Sequence, residues 1–463
     1  MTQQTNTLSG YLPDERPPFF KLVIYALQQI LVMFPATVLV ALITGFHVST
    51  TIFASGLATL GFILITGRKI PLFYGSSFSY ITAIASITGT ERLASGVVAD
   101  EKIALAQFGI VMSGLVSIAA GLIIKQFGQE AIEKVLPPTI TGSIAMVIGL
   151  SLAGNAMGNA ISTPVEGQLA TNLAWVIALV TLVSTILFSV YLKGSWSQVP
   201  ILMGLLLGYG TALALGFAFD IPFVDFNRTG ISGIFNLPHF TLPKPSWAAV
   251  AAIMPIAIAT IPESTAHLYQ LDLYVNDLAR KKGSKKKYNI ADKLGLNLMG
   301  DGLGDMISGM IGGPAGTNYG ENLSTMAITR NFSIPMLSGA AIITMIIACF
   351  TPLSNLVYSI PNCVIGGLSI YLFGVIAAQG IAIIMEKKVD LYNSKNLAVL
   401  AVVFIVGLGG SFGFEGGMIP FFGAKLPAIA SAAIIGILLN LLLSCGNKKK
   451  ANKLEEAEAT VEQ

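Results

Sequence analysis

Gly312-Gly313-Pro314-Ala315-Gly316-Thr317-Asn318-Tyr319-Gly320-Glu321-Asn322-Leu323-Ser324-Thr325-Met326-Ala327-Ile328-Thr329-Arg330 is the stretch on which the reading of the chain turns. It lies between two long apolar segments. It opens with helix breakers, continues with polar residues that favour extended backbone, and only then has the periodicity of half a helix. Backbone within a bilayer must satisfy its own hydrogen bonds unless it lines a cavity enclosed by protein, so such a stretch marks a broken span beside a binding cavity. Glu321 falls in the first turn of the half-helix. A carboxylate there faces the positive end of the helix dipole, while the amides of Gly320 and its neighbours remain free to donate to a ligand. An acid at membrane depth is costly and marks a functional site. The bland alternative is a polar re-entrant loop that caps its helix and binds nothing.

The rest of the composition agrees with a membrane setting. The chain has 463 residues, 54% hydrophobic and only 11% charged, with a mean hydropathy of +0.74. About a quarter of an ordinary soluble domain is charged, so this is read as an integral membrane protein. Cys349, Cys363 and Cys445 sit in apolar surroundings without metal-ligand or CxxC spacing and read as packing residues. The polar start of the chain, with Asp14, Glu15 and Arg16, does not read as a cleavable signal peptide.

A span needs about 20 apolar residues. On that basis fourteen spans are predicted, near 20–43, 49–66, 70–90, 103–124, 136–156, 171–192, 198–218, 247–270, 291–311, 315–330, 333–353, 360–384, 396–411 and 427–445. With a cytoplasmic N-terminus, 22 of the 27 Lys and Arg fall on the cytoplasmic side, Lys134 among them; Arg92, Lys102, Arg228, Lys244 and Lys425 fall outside. That imbalance follows the positive-inside rule and places both termini in the cytoplasm. The run Arg280-Lys281-Lys282-Gly283-Ser284-Lys285-Lys286-Lys287 is then a topology-fixing loop rather than a nucleic-acid or lipid patch. The tail after Lys453 is polar and acidic and is expected to be disordered.

The chain also repeats itself. Ser113-Gly114 is followed by Pro137 and then Gly142; Ser338-Gly339 is followed by Pro361 and then Gly366, with Gly-to-Pro spacings of 23 and 22 residues. Tyr74-Gly75-Ser76-Ser77-Phe78-Ser79-Tyr80, in the third span, holds the place that the opening stretch holds in the tenth. Seven spans per half is an odd number, so the second half enters the membrane from the other side. Inverted repeats with paired broken helices put a substrate site near the midplane, which is transporter architecture. The expected organisation is all-α and polytopic: an N-terminal cytoplasmic segment at 1–19, a first repeat at 20–218, an extracellular connection at 219–246, a second repeat at 247–445 and a cytoplasmic tail at 446–463.

Few polar groups are predicted at membrane depth. Pro262-Glu263-Ser264-Thr265-Ala266-His267 places Glu263 and His267 on one helical face. With Glu321 and the turn Ser76-Ser77-Phe78 these supply acceptors for ligand N–H groups, backbone amides for ligand carbonyls and a flat aromatic ring, which suits a planar heterocycle of alternating C=O and N–H. A buried carboxylate beside a histidine also offers a route to proton coupling. Duller readings stand beside these: Glu263 and His267 as a packing pair, and Phe78 as core. Asp301 and Asp305, again one turn apart, read as structural or gating residues, and His47 and His239 as solvated in outer loops. No metal set, P-loop, HExxH or GxSxG nucleophile stands in a credible context, so an enzyme is not expected.

At these residues the chain resembles the nucleobase/ascorbate transporter family, and within it the bacterial uracil-permease branch. The family signature, an acid or amide, then Asn-x-Gly, four residues, Thr and a basic residue, is met by Glu321-Asn322-Leu323-Ser324 through Thr329-Arg330. Two positions depart from it: Gln28-Gln29 stands where the family has Gln-His, and Ser324 replaces the signature glycine. The resemblance implies a core domain of spans one to four and eight to eleven, a gate domain of five to seven and twelve to fourteen, and short strands in spans three and ten. It implies that Glu263 and Glu321 accept the N–H groups of uracil and that the amides of Phe78 and Gly320 meet its carbonyls. Ala36, Phe78 and Tyr319 would shape the pocket, and Glu263, His267 and Glu321 would carry the proton.

It further implies a homodimer in the plasma membrane, surrounded by lipid, with the proton as coupling ion and no other cofactor. The expected function is a proton-coupled uracil importer working by alternating access. A xanthine or other purine permease, an anion transporter on the same fold, and an uncoupled channel or receptor are the alternatives.

Overall fold

The computed structural model describes residues 10–89, 91–93, 96–128, 136–226, 233–421 and 424–461. Lys134 and Arg228, both counted in the charge balance, lie outside them. The first half contains α1 (Phe19–Thr44), α2 (Val48–Ile65), β1 (Tyr74–Ser76), α3 (Ile81–Thr88), α4 (Asp100–Phe127), α5 (Pro138–Ser151), α6 (Ala153–Ala160), α7 (Gln168–Tyr191) and α8 (Pro200–Phe219). The second contains α9 (Trp247–Ile253), α10 (Ile256–Lys281), α11 (Leu294–Ile311), β2 (Gly316–Asn318), α12 (Gly320–Thr329), α13 (Ile334–Ala348), α14 (Thr351–Tyr358), α15 (Asn362–Glu386) and α16 (Ser394–Phe404). It ends with α17 (Gly410–Gly413), β3 (Met418–Phe421), β4 (Ala424–Pro427) and α18 (Ala428–Val461).

Local chemistry accounts for the breaks. The α9–α10 break falls at Met254-Pro255, where proline has no N–H for the helix ladder. In α4, Asp100 and Glu101 occupy the first turn and Lys125 the last, each complementing the helix dipole. Among the described residues, nine helices are long and apolar enough to cross a membrane, and Phe78–Thr88, Ile334–Ala348 and Ala428–Ser444 are shorter apolar helices. Leu294–Ile311 and Gly320–Thr329 complete the bundle with polar residues turned inward, including Asn297, Asp301, Asp305 and Asn322. Leu179, Val183 and Leu187 of α7 and Leu206, Leu207 and Phe217 of α8 are exposed. An apolar exterior around a polar-lined interior is the arrangement of a helical membrane protein.

Helix α4 packs along α11, and α2 along α13. Glycines set the first contact: Gly114 and Gly121 of α4 face Gly302 and Gly295 of α11. Strands β1 and β2 pair antiparallel, Tyr74 with Asn318, Gly75 with Thr317 and Ser76 with Gly316.

Two features differ from the sequence reading. The tail after Lys453, expected to be disordered, continues helix α18 to Val461; Leu, Ala and Glu favour helix there and no Gly or Pro interrupts it. Helix α10 runs on to Lys281, so the basic loop begins as the last turn of a helix. The start of the chain is docked on helix ends. The Tyr11 amide donates to the Arg330 carbonyl at 2.8 Å, the Phe332 amide to Tyr11 at 2.8 Å, and Lys282 pairs with Glu15 at 2.6 Å. This clasp ties residues 10–18 to the ends of α10 and α12.

Candidate functional site

The two strands are three residues each, yet they organise the centre of the molecule. The Ser77 amide donates to the Ala315 carbonyl at 3.0 Å and the Tyr319 amide to the Phe73 carbonyl at 2.9 Å, closing the ribbon at both ends. Because the strands are antiparallel, the chain leaves toward α3 at one end and toward α12 at the other. The first-turn amides of each half-helix, including Phe78 and Gly320, have no partner within their own helix, and these turns are therefore the natural place for ligand acceptors. Each strand is held from behind by a neighbouring helix. Ser55 and Thr59 of α2 donate to the Tyr74 carbonyl at 2.7 and 3.1 Å. Asp305 of α11 accepts from the Tyr74 hydroxyl at 2.5 Å and from the Gly316 amide at 2.8 Å.

Tyr319 clamps this junction. Its hydroxyl donates to the Ser76 carbonyl at 2.9 Å and lies 3.0 Å from the hydroxyl of Thr37, beside Ala36 on α1. Its ring lies on Gly75, where any Cβ would collide with it. Phe78 is half-buried, with its ring edge toward Phe373 of α15 and centroids 6.4 Å apart. Ala36, Tyr319, Ile261 and Phe78 share one apolar cluster, so α1, both broken segments and α10 meet there.

The acids arrive on α10 and α12. His267 packs on Gly320: a Cβ at that glycine would lie 2.7 Å from the imidazole Nε2. The ring hydrogen-bonds the Asn318 backbone, and its Nδ1 is buried without a partner among the described residues. Glu263, one turn away, is half-buried and within electrostatic reach of Glu321. Glu321 is exposed in the first turn of α12. The six residues that the resemblance would place around a substrate (Ala36, Phe78, Glu263, Tyr319, Gly320 and Glu321) and His267 lie in the two broken segments or on α1 and α10, which flank them.

Behind them lies a polar network that sequence reading did not anticipate. Ser264 donates to Asp301; Asn297 donates to the Ser264 hydroxyl at 2.7 Å, and Asn318 to Asn297 at 3.2 Å. On the other side, Asn322 donates to the Gln29 side chain at 2.8 Å and to its carbonyl at 2.9 Å, tying α12 to α1. Ser264 was detectable as the residue next to Glu263 and Gln29 as a departure from the family's Gln-His, but Asn297 gave no signal beyond being polar within an apolar span. A cleft of about 360 Å³ also opens near the ends of α1, α3 and α6, lined by Ile43, Ala85, Arg92, Asn155 and Asn159. It contains neither Glu263 nor Glu321.

His47 and His239 lie in connections between helices, His239 exposed and His47 half-buried, and they have a partner that the sequence reading did not foresee. Both imidazoles hydrogen-bond Asp100, at 3.1 and 2.7 Å. They come from parts of the chain too far apart for spacing to reveal the contact.

The chain is similar to known proteins over most of its length. The pattern of the Permease family (Xan_ur_permease) matches residues 20–416. The chain is 36% identical over 453 residues to a protein named uracil permease from Bacillus caldolyticus, covering 96% of this chain and 97% of the relative. It is 34% identical over 430 residues to the uracil permease of Escherichia coli (strain K12), covering 93% and 92%. Among solved structures, the transmembrane domain of the cyanobacterial bicarbonate transporter BicA superposes with a TM-score of 0.57 at 16% identity, over 92% of this chain and 98% of that one. The structure titled "The overall structure of SLC26A9" gives 0.62 at 12% identity, over 92% and 65%. At such identities these structures speak for the fold alone. The chain belongs to the permease family, recognised from its signature as the nucleobase/ascorbate transporters, and is a membrane transport protein rather than an enzyme.

Proposed function

We propose that this protein is a proton-coupled uracil importer working by alternating access. The observation that carries the reading is two half-helix N-termini that meet through a strand ribbon, with Glu321 in the first turn of one and Glu263 on the neighbouring α10. The carboxylates would accept the uracil N–H groups, and the Phe78 and Gly320 amides would donate to its carbonyls. Ala36 and the rings of Phe78 and Tyr319 would shape the slot. His267, buried against Gly320 with Nδ1 unpartnered, would exchange the coupled proton with Glu263 and Glu321. The names of the relatives support uracil as the substrate.

The reading includes fourteen spans in two inverted repeats. Packing supports it: the contact of α4 with α11 is that of the fourth span with the ninth, and the contact of α2 with α13 is its counterpart when each span is exchanged with the one seven later. Likewise Gly142 of α5 faces Gly380 of α15, while Gly366 of α15 faces Ala160 at the end of α6. The core domain would comprise spans one to four and eight to eleven, and the gate domain the others. The protein would work as a homodimer in the plasma membrane with both termini cytoplasmic.

Uptake of radiolabelled uracil into proteoliposomes, with and without an inward proton gradient and with excess xanthine, tests the function. Gradient-driven accumulation that xanthine leaves untouched is the expected result. Uptake abolished by xanthine would move the substrate to purines, and absence of uracil uptake would leave only the fold, including its anion-transporting form.

A further inference from the structure

At the end of the molecule opposite the N-terminal clasp, three segments distant in sequence bring His47, Asp100 and His239 together. His47 directly precedes α2, Asp100 opens α4, and His239 lies in the connection before α9. The Nε2 atoms of the two imidazoles lie 3.1 Å and 2.7 Å from the two oxygens of the one carboxylate, and the rings are 4.6 Å apart. One ligand atom from each residue fits within a 4.8 Å span. Zinc binds imidazole nitrogen and carboxylate oxygen at about 2.0–2.2 Å, so such donors must lie close together before the ion arrives.

The geometry points to a divalent transition-metal site of the zinc class formed by His47, Asp100 and His239. Each residue can supply one donor atom, leaving a fourth position for water. Metal binding requires each imidazole to present Nε2 as a lone pair, with its proton moved to Nδ1, so two hydrogen bonds to Asp100 are exchanged for metal bonds.

The supporting framework is already built. Thr51 donates to the His47 carbonyl at 2.9 Å, and Thr50 to the His239 carbonyl at 2.6 Å. The neighbouring connection is fixed to α4 by Gln107 and Thr241, which bond each other's oxygens at 2.8 and 2.7 Å, and by the Lys244 amide on the Ala104 carbonyl at 2.8 Å. Two helix N-termini converge here and oppose a cation, but the carboxylates of Asp100 and Glu101 offset them. A bound ion would staple the connection before α9 to the ends of α2 and α4.

The test is titration of the full-length protein in detergent, with any affinity tag removed, using Zn²⁺ followed by calorimetry and Co²⁺ followed by its visible absorption. The expected result is one saturable equivalent, a Co²⁺ spectrum with nitrogen and oxygen ligands, and a melting midpoint raised by Zn²⁺. His47→Gln and His239→Gln keep hydrogen-bonding groups at an exposed site and should fold, yet each should weaken binding by more than the roughly 10–100-fold that loss of an outer-shell partner costs. Absence of a saturable equivalent in the wild type overturns the site whatever the variants do. So does one-equivalent binding that persists unchanged in both variants.

Discussion

In the first broken segment, strand Tyr74–Ser76 leads through Ser77 into Phe78 and carries no charge; in the second, strand Gly316–Asn318 leads through Tyr319 into Gly320 and Glu321. Their backbones do the same thing, each pairing with the other and ending in a half-helix. The helices behind them differ in the same sense. From the first half only neutral hydroxyls, Ser55 and Thr59 of α2, hold β1, whereas the carboxylate of Asp305 on α11 holds β2 and also accepts from Tyr74 of β1. On the flanks, α1 contributes Gln29, Ala36 and Thr37, and α10 contributes Glu263 and His267. The acids and the histidine beside the ribbon, Glu263, His267, Asp305 and Glu321, thus all come from the second segment and its helices. A matching set of acids on the first segment would crowd buried like charges, a cost that its neutral residues avoid while still supplying ring, amide and shape.

The comparison can be broken most directly at Glu321. Glu321→Gln should lower uracil affinity about 10–100-fold, the roughly 1.5–3 kcal/mol of a hydrogen bond to a charged group, measured by calorimetry on the purified protein. Wild-type affinity would remove the acid half from recognition. Glu263→Gln and His267→Ala should each abolish accumulation driven by a proton gradient while uracil exchange across the membrane continues. Survival of accumulation in both would place the coupling proton elsewhere. Asp305→Ala leaves the Tyr74 hydroxyl and the Gly316 amide without their acceptor, each worth about 1–3 kcal/mol when buried, and should lower the melting midpoint. An unchanged midpoint would show that the ribbon does not depend on this carboxylate.

Phe78→Leu probes the neutral half. It should cost about tenfold or less in uracil affinity, as expected from roughly 0.5–1.5 kcal/mol for an aromatic contact, and leave coupling intact. A coupling defect there would undo the division of labour. The smallest effect belongs to the clasp. Burial works against ionisation of Asp14, but hydrogen bonds from Lys286 and Tyr288 hold its carboxyl below the ordinary value of 3.8. Its contribution is therefore present above that value and lost as the pH falls through the lower folded value. Asp14 and Lys286 are each more than half exposed, so Asp14→Asn should change stability by less than about 1 kcal/mol near neutral pH. A larger loss would mean that the clasp anchors the first half to the second.

Much of the site could be read in advance because its signals are local. Gly-rich polar backbone between apolar runs marked the broken segments, and the helical period put Glu263 and His267 on one face. The duty of Asp305 was less legible: spacing paired it with Asp301, but its partners Tyr74 and Gly316 come from two other segments. Gln29 stood out only as a departure from a family pattern, and its bond to Asn322 depends on how α1 lies against α12.

From the amino acids alone came the membrane setting, the bounds of most helices, the two interruptions and the acid at the second. Hydropathy, periodicity and glycine content act over a few neighbouring residues, and no distant partner is needed to see them. The tertiary structure alone decided that the two interruptions pair strand to strand and that His267 rests on Gly320. It also decided that His47, Asp100 and His239 meet, and that the chain's start is clasped to α10 and α12. Each of these is a contact between segments whose separation along the chain carries no information about their distance in space, so packing of the whole bundle had to set it.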